Sequence, residues 1–305
     1  MNILDRLKKS ANLTDVILAI ILLLIGLLML YPLWWVLMTS ISDPIWLSTH
    51  TVRILPGDIG FDAYKFIFME SKLWNSYLNS IIYALGSTAV TLLVCSLYAY
   101  PFTLPQFKGK KFFNLLIIIP MFFNGGMIPT YMQISNLGLL DTVWAMILPS
   151  AMSTYFVILI RTNMKSIPIE LRESAIIDGA NELQIYLRII LPLSKVIMMI
   201  IGLFAVVDSW NSFTGPLLYL SDDAKMPLSI YLRNLIISNS MDTSELTMGS
   251  GTGYYQMIAS AGGGIGLRIA MKMGTIIVSV LPIMMIYPFI QKYFVKGIML
   301  GSVKG

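Results

Sequence analysis

The chain has 305 residues, of which 56% are hydrophobic and only 12% are charged, with a formal net charge of +5 and a mean hydropathy of +0.76. Soluble domains carry roughly a quarter charged residues, so this composition excludes an ordinary soluble enzyme and predicts an integral membrane protein. Nucleic-acid binding is also unsupported, because it would require a basic face interleaved with base-stacking aromatic residues.

Apolar runs of about 20 residues, the length that crosses the hydrocarbon core as a helix, recur along the chain. They predict an all-α integral membrane fold with six transmembrane helices within residues 16–290. The predicted spans are Val16–Met38, Tyr77–Tyr100, Phe112–Thr130, Thr142–Arg161, Val196–Leu218 and Ile269–Ile290. We expect the first run to be retained as a span, because it is too long for the core of a signal peptide and no small-residue cleavage site follows it.

The positions of lysine and arginine predict the orientation of these spans. An even number of spans puts both termini on one side, and fourteen of the 21 basic residues lie on that side. The other seven are spread over two longer loops, residues 39–75 and 219–268. Because short basic loops remain in the cytoplasm, we expect an N-terminal segment 1–15 and a C-terminal tail 291–305 that are both cytoplasmic.

The two outer loops differ in composition. The first, residues 39–75, is rich in aromatic residues, which fits either anchoring at the membrane interface or a docking surface for an external protein. The second, residues 219–268, has about 50 residues and ends in the small-residue run Ser260–Gly266. A loop of this length often has a function.

A charged island, Arg161–Lys195, separates spans four and five and predicts two short helices joined by a turn. Ile169–Ile177 can be helical, and Gly179 has the backbone freedom that lets a helix end. Asn181 and Gln184 match a capping box that begins the second helix, and Pro192 ends that helix before the next span.

One face of the first short helix combines apolar and charged side chains at helical spacing, namely Ile169, Arg172, Glu173 and Ile176. Such a face fits a groove on a cytoplasmic partner. The alternative is that the island only links two spans and packs beneath them, and periodicity does not decide between the two.

The spacing of residues in the island resembles a known motif. Glu173, Ala175, Gly179, Ile189, Leu191 and Pro192 match the pattern E-A-A, three residues, G, nine residues, I-x-L-P. The pattern resembles the cytoplasmic loop of permease subunits in binding-protein-dependent ABC importers, with Ser174 in place of the usual alanine. Further segments resemble the carbohydrate-uptake branch, particularly the second maltose-type permease and permeases for complex oligosaccharides. They are Ile177–Ala180, Trp210–Asn211, Pro216–Leu218 and Tyr293–Gly305.

This resemblance implies a transport subunit in a bacterial cell membrane. Two such permeases would pair, an ATPase subunit would dock under each, and an extracellular binding protein would deliver a sugar or oligosaccharide. The ATPase would contact a coupling helix through Glu173, Ala175, Asp178 and Gly179. The 305 residues contain no G-x-x-x-x-G-K-[ST] loop, so we expect ATP and Mg²⁺ on the partner ATPase and no cofactor on this chain.

Polar residues within the predicted spans are candidates for the solute path. They are Asp208, Trp210 and Asn211 in span five and Asn124 in span three. Polar groups at this depth are costly unless they are paired or face water. Trp210 suits stacking on a sugar ring and Asn211 suits hydrogen bonds to hydroxyl groups, although packing within the bilayer is an alternative role for the tryptophan.

We expect no metal site, because the only histidine, His50, has no cluster of potential ligands near it in the sequence. We also expect no catalysis, because no Ser-His-Asp set or pair of carboxylates is spaced for hydrolysis. Three alternatives to a sugar importer remain open at this point. They are an ABC importer permease for another solute, a secondary transporter driven by an ion gradient, and an integral-membrane enzyme or assembly factor. A secondary transporter would need inverted repeats and ionisable groups near the midplane, and the sequence offers neither.

Overall fold

The computed structural model describes residues 13–123, 125–238 and 264–301. Within these ranges the chain is helical, with one isolated antiparallel bridge between Ser42 and Ile59 and no strand. The predicted all-α class is therefore confirmed. The chain divides into two compact units, one of residues Met1–Glu70 with Leu235–Val280 and the other of Ser71–Asn234 with Leu281–Gly305.

The first unit is built on one long helix and several short ones. Its helices are α1 (Leu13–Ser40), α2 (Pro44–Thr49), α3 (Asp62–Met69) and the beginning of the last helix, Gly264–Gly301. The core of this unit contains Met38, Leu47, Val52, Ala63, Phe66, Leu267 and Ala270. By contrast, the most apolar 18-residue window of α1 is not buried at all within the described part of the chain.

The aromatic residues near the end of α1 hold part of the first outer loop. The Tyr31 hydroxyl donates a hydrogen bond to the Arg53 carbonyl at 3.2 Å. The indole N–H groups of Trp34 and Trp35 donate to the carbonyls of Ile54 and Val52 at 2.7 and 2.9 Å. These bonds satisfy backbone carbonyls that no secondary structure would satisfy, so they fix residues 52–54 against α1.

The second unit contains the remaining described helices. They are α4 (Ser71–Ala99), α5 (Lys110–Phe122), α6 (Met127–Asn136), α7 (Val143–Ile147), α8 (Thr154–Lys165), α9 (Glu170–Ile177), α10 (Glu182–Leu193), α11 (Lys195–Trp210), α12 (Thr214–Tyr219) and, up to Asn234, α13 (Leu228–Ser238). The last helix of the chain, Gly264–Gly301, is α14. The central pair of this unit is α4 and α11, which pack closely enough that the nearest side-chain atom to Gly202 belongs to Leu92 of α4.

By length and composition, three segments can each cross a membrane as one helix: α1, α4 with its 3₁₀ extension to Thr103, and α14. Three further candidates are bent pairs, namely α5 with α6, Val143–Ser150 with α8, and α10 with α11. The described residues thus allow up to six spans. The number six and the cytoplasmic position of both termini remain predictions.

Predicted spans three and four are not single helices. Span three, expected over Phe112–Thr130, is interrupted between Phe122 and Met127, where Gly126 has a φ of +88°. Span four, expected over Thr142–Arg161, bends by 53° between Ser150 and Thr154. Mean hydropathy does not reveal such breaks. The residues at the breaks, namely glycine, serine and Pro149, hardly lower the mean hydropathy of a window as long as a span.

The helix of predicted span five also ends earlier than expected. Its continuous part, α11, stops at Trp210, and a separate helix begins at Thr214 instead of continuing to Leu218. Ser212 donates its backbone N–H to the Ser209 carbonyl at 3.1 Å in a tight final turn. Serine and asparagine favour such helix ends, and Pro216 has no N–H to donate to the residue four positions earlier, so it would weaken a helix that continued from α11.

We predict that Gly266→Ala destabilises the protein. A Cβ atom at Gly266 would lie 1.9 Å from the Pro44 carbonyl oxygen, which is backbone and cannot move to another rotamer. Overpacking of this kind costs about 1–3 kcal/mol, so the melting temperature of the purified protein in detergent should fall by several degrees.

Gly26→Ala is the matched control, because a Cβ atom at Gly26 meets nothing within 4 Å. It should leave the melting temperature unchanged or raise it slightly, since alanine favours the helix. Equal melting temperatures for the two variants would contradict the close packing of α14 on α2.

Candidate coupling loop and solute path

The island between α8 and α11 forms the two short helices and the turn that the sequence predicts, although α10 runs through Pro192 and ends at Leu193. The first short helix is α9, and Gly179 follows it with a φ of +83°, which only glycine adopts at low cost. The Asn181 side chain accepts a hydrogen bond from the Gln184 N–H at 2.8 Å, and the Gln184 side chain accepts one from the Asn181 N–H at 2.9 Å. The predicted capping box is therefore confirmed, and it fixes the start of α10.

The tip of the island presents apolar and acidic side chains on its surface. Ile177 is 85% exposed, and Ile169 and Ile176 are each close to half exposed. Glu173 and Asp178 are also exposed, as is Gly179. Exposure of most of an isoleucine side chain to water is unfavourable, so this surface is suited to contact with a protein partner.

Ala175 has a different environment from the other predicted coupling residues. It is only 8% exposed and belongs to a core with Ala99, Val157, Ile160 and Ile185. Its small side chain therefore lets α9 lie close to its own chain. Contact of Ala175 with an ATPase was predicted from the resemblance, and its burial leaves little surface for that contact.

The helical spacing predicts that Arg172 and Glu173 share one exposed face, but in the structure they do not. The Arg172 side chain is 12% exposed and forms an ion pair with Glu182, at the start of α10. The Tyr100 hydroxyl donates to the other carboxylate oxygen of Glu182 at 2.6 Å. Within the described residues Glu173 forms no ion pair. The prediction was wrong because a partner ten residues away across the turn competes better than a neighbour on the same helix.

These contacts set the charge state of Glu182. Partial burial acts to raise the pKa of its carboxyl, but the hydrogen bonds from Arg172 and Tyr100, together with the Arg172 charge, outweigh burial and lower the pKa below its ordinary value. Glu182 is therefore ionised at neutral pH, and its two oxygens hold groups from two different elements.

The same contacts extend to α4. The rings of Tyr100 and Tyr186 lie 5.2 Å apart, and the hydroxyls of Ser96 and Tyr186 form a 2.7 Å hydrogen bond. We call Ser96, Tyr100, Arg172, Glu182 and Tyr186 the loop network. No periodicity or motif predicted it, because its members come from three separate parts of the sequence.

The loop leads into α11 through a sharp bend. Residues Tyr186–Ile190 of α10 are π-helical, and α10 and α11 meet at an angle of 78°. Ser194 at this bend is fully buried, and its hydroxyl has no partner in the part of the chain that the structure describes. A π-helical turn and a sharp kink in succession are common at functional positions.

The predicted solute-path residues lie at the far end of α11. Asp208 is exposed and has no hydrogen-bond or ion-pair partner among the described residues. The Trp210 ring packs edge-to-face on Tyr77 at 5.8 Å, and Asn211 is exposed at the helix end. Asn124, the fourth predicted path residue, lies outside the described residues. Asp208 is about 20 Å along the helix axis from Lys195.

A turn next to the second outer loop is fixed by Asp141. This residue has a φ of +56°, and its carboxylate accepts hydrogen bonds from the backbone N–H groups of Ser221 and Asp222. Those two bonds lower the pKa of Asp141. The Asp141 N–H in turn donates to the Tyr219 carbonyl at 2.9 Å. The backbone and the side chain of Asp141 thus both bind the segment from Tyr219 to Asp222. No motif or spacing in the sequence predicted this turn.

No group of three or more histidine, cysteine, aspartate or glutamate side chains in the described ranges is arranged to hold a metal ion. The second unit does contain a cavity of about 410 Å³, lined mainly by apolar residues of α6 and the turn at Leu148 and Pro149. Its polar lining is limited to Thr130 and Gln133, so it offers few groups that would orient a polar ligand.

Comparison with known proteins covers nearly the whole chain. No protein-family model matches it. The polygalacturonan/rhamnogalacturonan transport system permease protein YtcP of Bacillus subtilis (strain 168) is 36% identical over 295 residues, which are 96% of this chain and 99% of that protein. Protein LplC of the same organism is 37% identical over 97% of each chain.

A solved structure is also similar. It belongs to a bacterial ABC transporter involved in the import of the acidic polysaccharide alginate, with a TM-score of 0.84 and 28% sequence identity. The match covers 94% of this chain and 100% of that chain. The arabinooligosaccharides transport system permease protein AraQ of B. subtilis is 28% identical over 94% of this chain.

We predict that Glu182→Gln destabilises the second unit. The substitution leaves the Arg172 guanidinium largely buried without its carboxylate, which costs about 1–2 kcal/mol given that Glu182 is itself 44% exposed. The melting temperature should fall by a few degrees, and the loss should not add to that of Tyr100→Phe, because both changes break the same network. Glu170→Gln, at an exposed glutamate of α9, is the control and should have little effect.

The effect of Glu182→Gln should depend on pH. Because the pKa of Glu182 is lower in the folded chain than in the unfolded chain, its stabilising contribution is complete above about pH 4.3 and is lost as the pH falls through the folded value. The difference in melting temperature between the native chain and the variant should be constant near neutral pH and shrink in acid. A difference that grows with acidity would contradict the assignment.

Proposed function

Since the chain belongs to the permease subunits of ABC transport systems for sugars and oligosaccharides, we propose that it forms one half of a translocation path for an oligosaccharide. A second homologous permease forms the other half. An extracellular binding protein delivers the cargo, and two ATPase subunits supply the energy. The observation that carries this proposal is the island, whose exposed apolar tip stands on a loop that is fixed to α4 and leads directly into α11.

The motor is a separate polypeptide. The full sequence has no phosphate-binding loop, so ATP and Mg²⁺ are bound by the partner ATPase and the permease performs no hydrolysis. The permease contributes a surface that the ATPase moves. This surface consists of Ile169, Ile176 and Ile177 with the acidic residues Glu173 and Asp178, and Gly179 forms the turn behind it.

In the membrane the chain has six spans with both termini and the island in the cytoplasm. Support comes from the three single helices and three bent pairs that are long and apolar enough to cross, together with the excess of basic residues on one side. The loops 39–75 and 219–268 then face the binding protein. The broken spans are tolerated because interrupted helices in membranes line protein interiors or water-filled cavities.

The cargo class follows from the relatives, which are named for polygalacturonan and rhamnogalacturonan, for arabinooligosaccharides and for galactooligosaccharides. An ion-gradient mechanism and an enzymatic role have no such support. We assign Trp210, Asn211 and Asp208 to the solute path, where an aromatic face and polar groups together suit a sugar. Asn124 remains a candidate on sequence grounds.

Coupling is tested by Gly179→Val in the complete complex in proteoliposomes. A β-branched residue at this positive φ strains the turn by about 1–2 kcal/mol, although a Cβ atom there meets no other atom within 4 Å. Solute uptake and stimulation of the ATPase by loaded binding protein should both fall by about tenfold or more.

Gly138→Val is the matched control. Gly138 also has a positive φ, of +67°, and also has free space around a Cβ atom, but it lies in the turn between α6 and α7. Its variant should keep coupled ATPase activity. Equal losses in the two variants, or normal coupling by Gly179→Val in an assembled complex, would reject the proposed role of the island.

A further inference from the structure

The residues that follow α11 are held by the start of α13. The Ser229 hydroxyl donates to the Ser212 carbonyl at 2.7 Å, and the Leu228 N–H donates to the Ser80 hydroxyl at 2.8 Å. The first turn of α13 is therefore fixed on both the turn after α11 and the helix α4. Both contacts involve the segment that directly follows the predicted solute path.

Arg233 lies on the same face of α13 as Ser229, because residues four apart share a helix face. Its guanidinium carbon is 5.9 Å from the centre of the Phe213 ring, in the turn that Ser229 holds. Contact with an aromatic ring restrains the guanidinium and lowers the entropy lost when it binds a ligand. The sequence alone did not single out Arg233, which is twenty residues from Phe213.

No carboxylate in the described part of the chain neutralises the positive charge of Arg233. Within the described residues it forms no ion pair, and its only hydrogen bond goes to the Asn234 side chain at a long 3.4 Å. Arg172, by contrast, has the carboxylate of Glu182. Lys225 near the same loop pairs with Asp222 at 3.4 Å. Arg233 is thus a half-buried cation with donors available beside exposed polar groups.

From this arrangement we infer that Arg233, Phe213, Asn211 and Trp210 form a subsite for the carboxylate-bearing units of an anionic oligosaccharide. The planar guanidinium binds a carboxylate through two parallel hydrogen bonds, which a neutral sugar cannot offer. The Trp210 ring, held by Tyr77, covers the apolar face of a sugar ring, and Asn211 hydrogen-bonds its hydroxyl groups. This inference rests on the proposed function and adds the charge of the cargo to it.

The test compares an oligogalacturonide with its fully methyl-esterified form, in which each carboxylate is replaced by a neutral ester, in proteoliposomes of the complete complex. Half-saturating concentrations for uptake are measured for the native chain and for Arg233→Gln. The native chain should favour the acidic sugar, and Arg233→Gln should reduce that preference by about tenfold, the value of one charged hydrogen-bonded pair. Because the same binding protein serves both chains, its own preference cancels in this comparison.

Two further variants keep the test decisive. Arg233→Lys retains the charge but not the paired donors, so it should lose part of the preference even if Arg233→Gln does not assemble. Lys225→Gln removes a cation that already has a carboxylate partner and should leave the preference unchanged.

Three results would overturn the inference. They are equal uptake of the two sugars by the native chain, an equal loss of both sugars in Arg233→Gln, and a loss that depends on the anionic lipid content of the vesicles. An equal loss would mean that Arg233 only holds α13, and dependence on lipid would mean that it binds phospholipid phosphate. Failure of the native complex to take up either sugar or any other oligosaccharide would instead reject the proposed function.

Discussion

The carboxylate of Glu182 is the contact on which the island depends. One of its oxygens binds Arg172 of α9 and the other binds Tyr100 beyond the end of α4. Without it, a partly buried guanidinium would lack a partner, and only the turn at Gly179 and the apolar contacts around Ala175 and Ile185 would join the two short helices. With it, the exposed tip of the island, the start of α10 and the end of α4 move together. The Arg172–Glu182 pair contributes only modest energy, because Glu182 is almost half exposed, but its geometry connects α9 to α10 and to the end of α4.

The two ends of α11 link this contact to the proposed solute path. Its first residue follows the 78° bend after α10, and its last residue, Trp210, packs edge-to-face on Tyr77. A continuous helix of 16 residues transmits a rotation with little loss, and α11 packs along α4 for much of its length. A displacement at the island would thus reach the turn at Asn211 through α11 and α4 together, not only through the chain connections on either side of the island.

Much of the helical content and the turn of the island could be predicted from the sequence. Apolar runs of sufficient length can only be helices in lipid, and glycine at a positive φ and an Asn–Gln capping box are local signals. The interruptions after Phe122, Ser150 and Trp210 escaped prediction because average hydropathy hardly changes across them. The partners of Arg172, Asp141 and Arg233 escaped it for another reason: each is chosen by tertiary packing between segments that no repeat or spacing rule relates.

The exposure of α1 has a consequence for how the protein is made. None of its most apolar window is covered by the described part of its own chain, so its transfer into hydrocarbon does not depend on packing against those helices. A segment of this kind can enter the bilayer as soon as it leaves the ribosome. The broken spans differ from it, because the backbone groups at their interruptions need neighbouring protein or water to satisfy them.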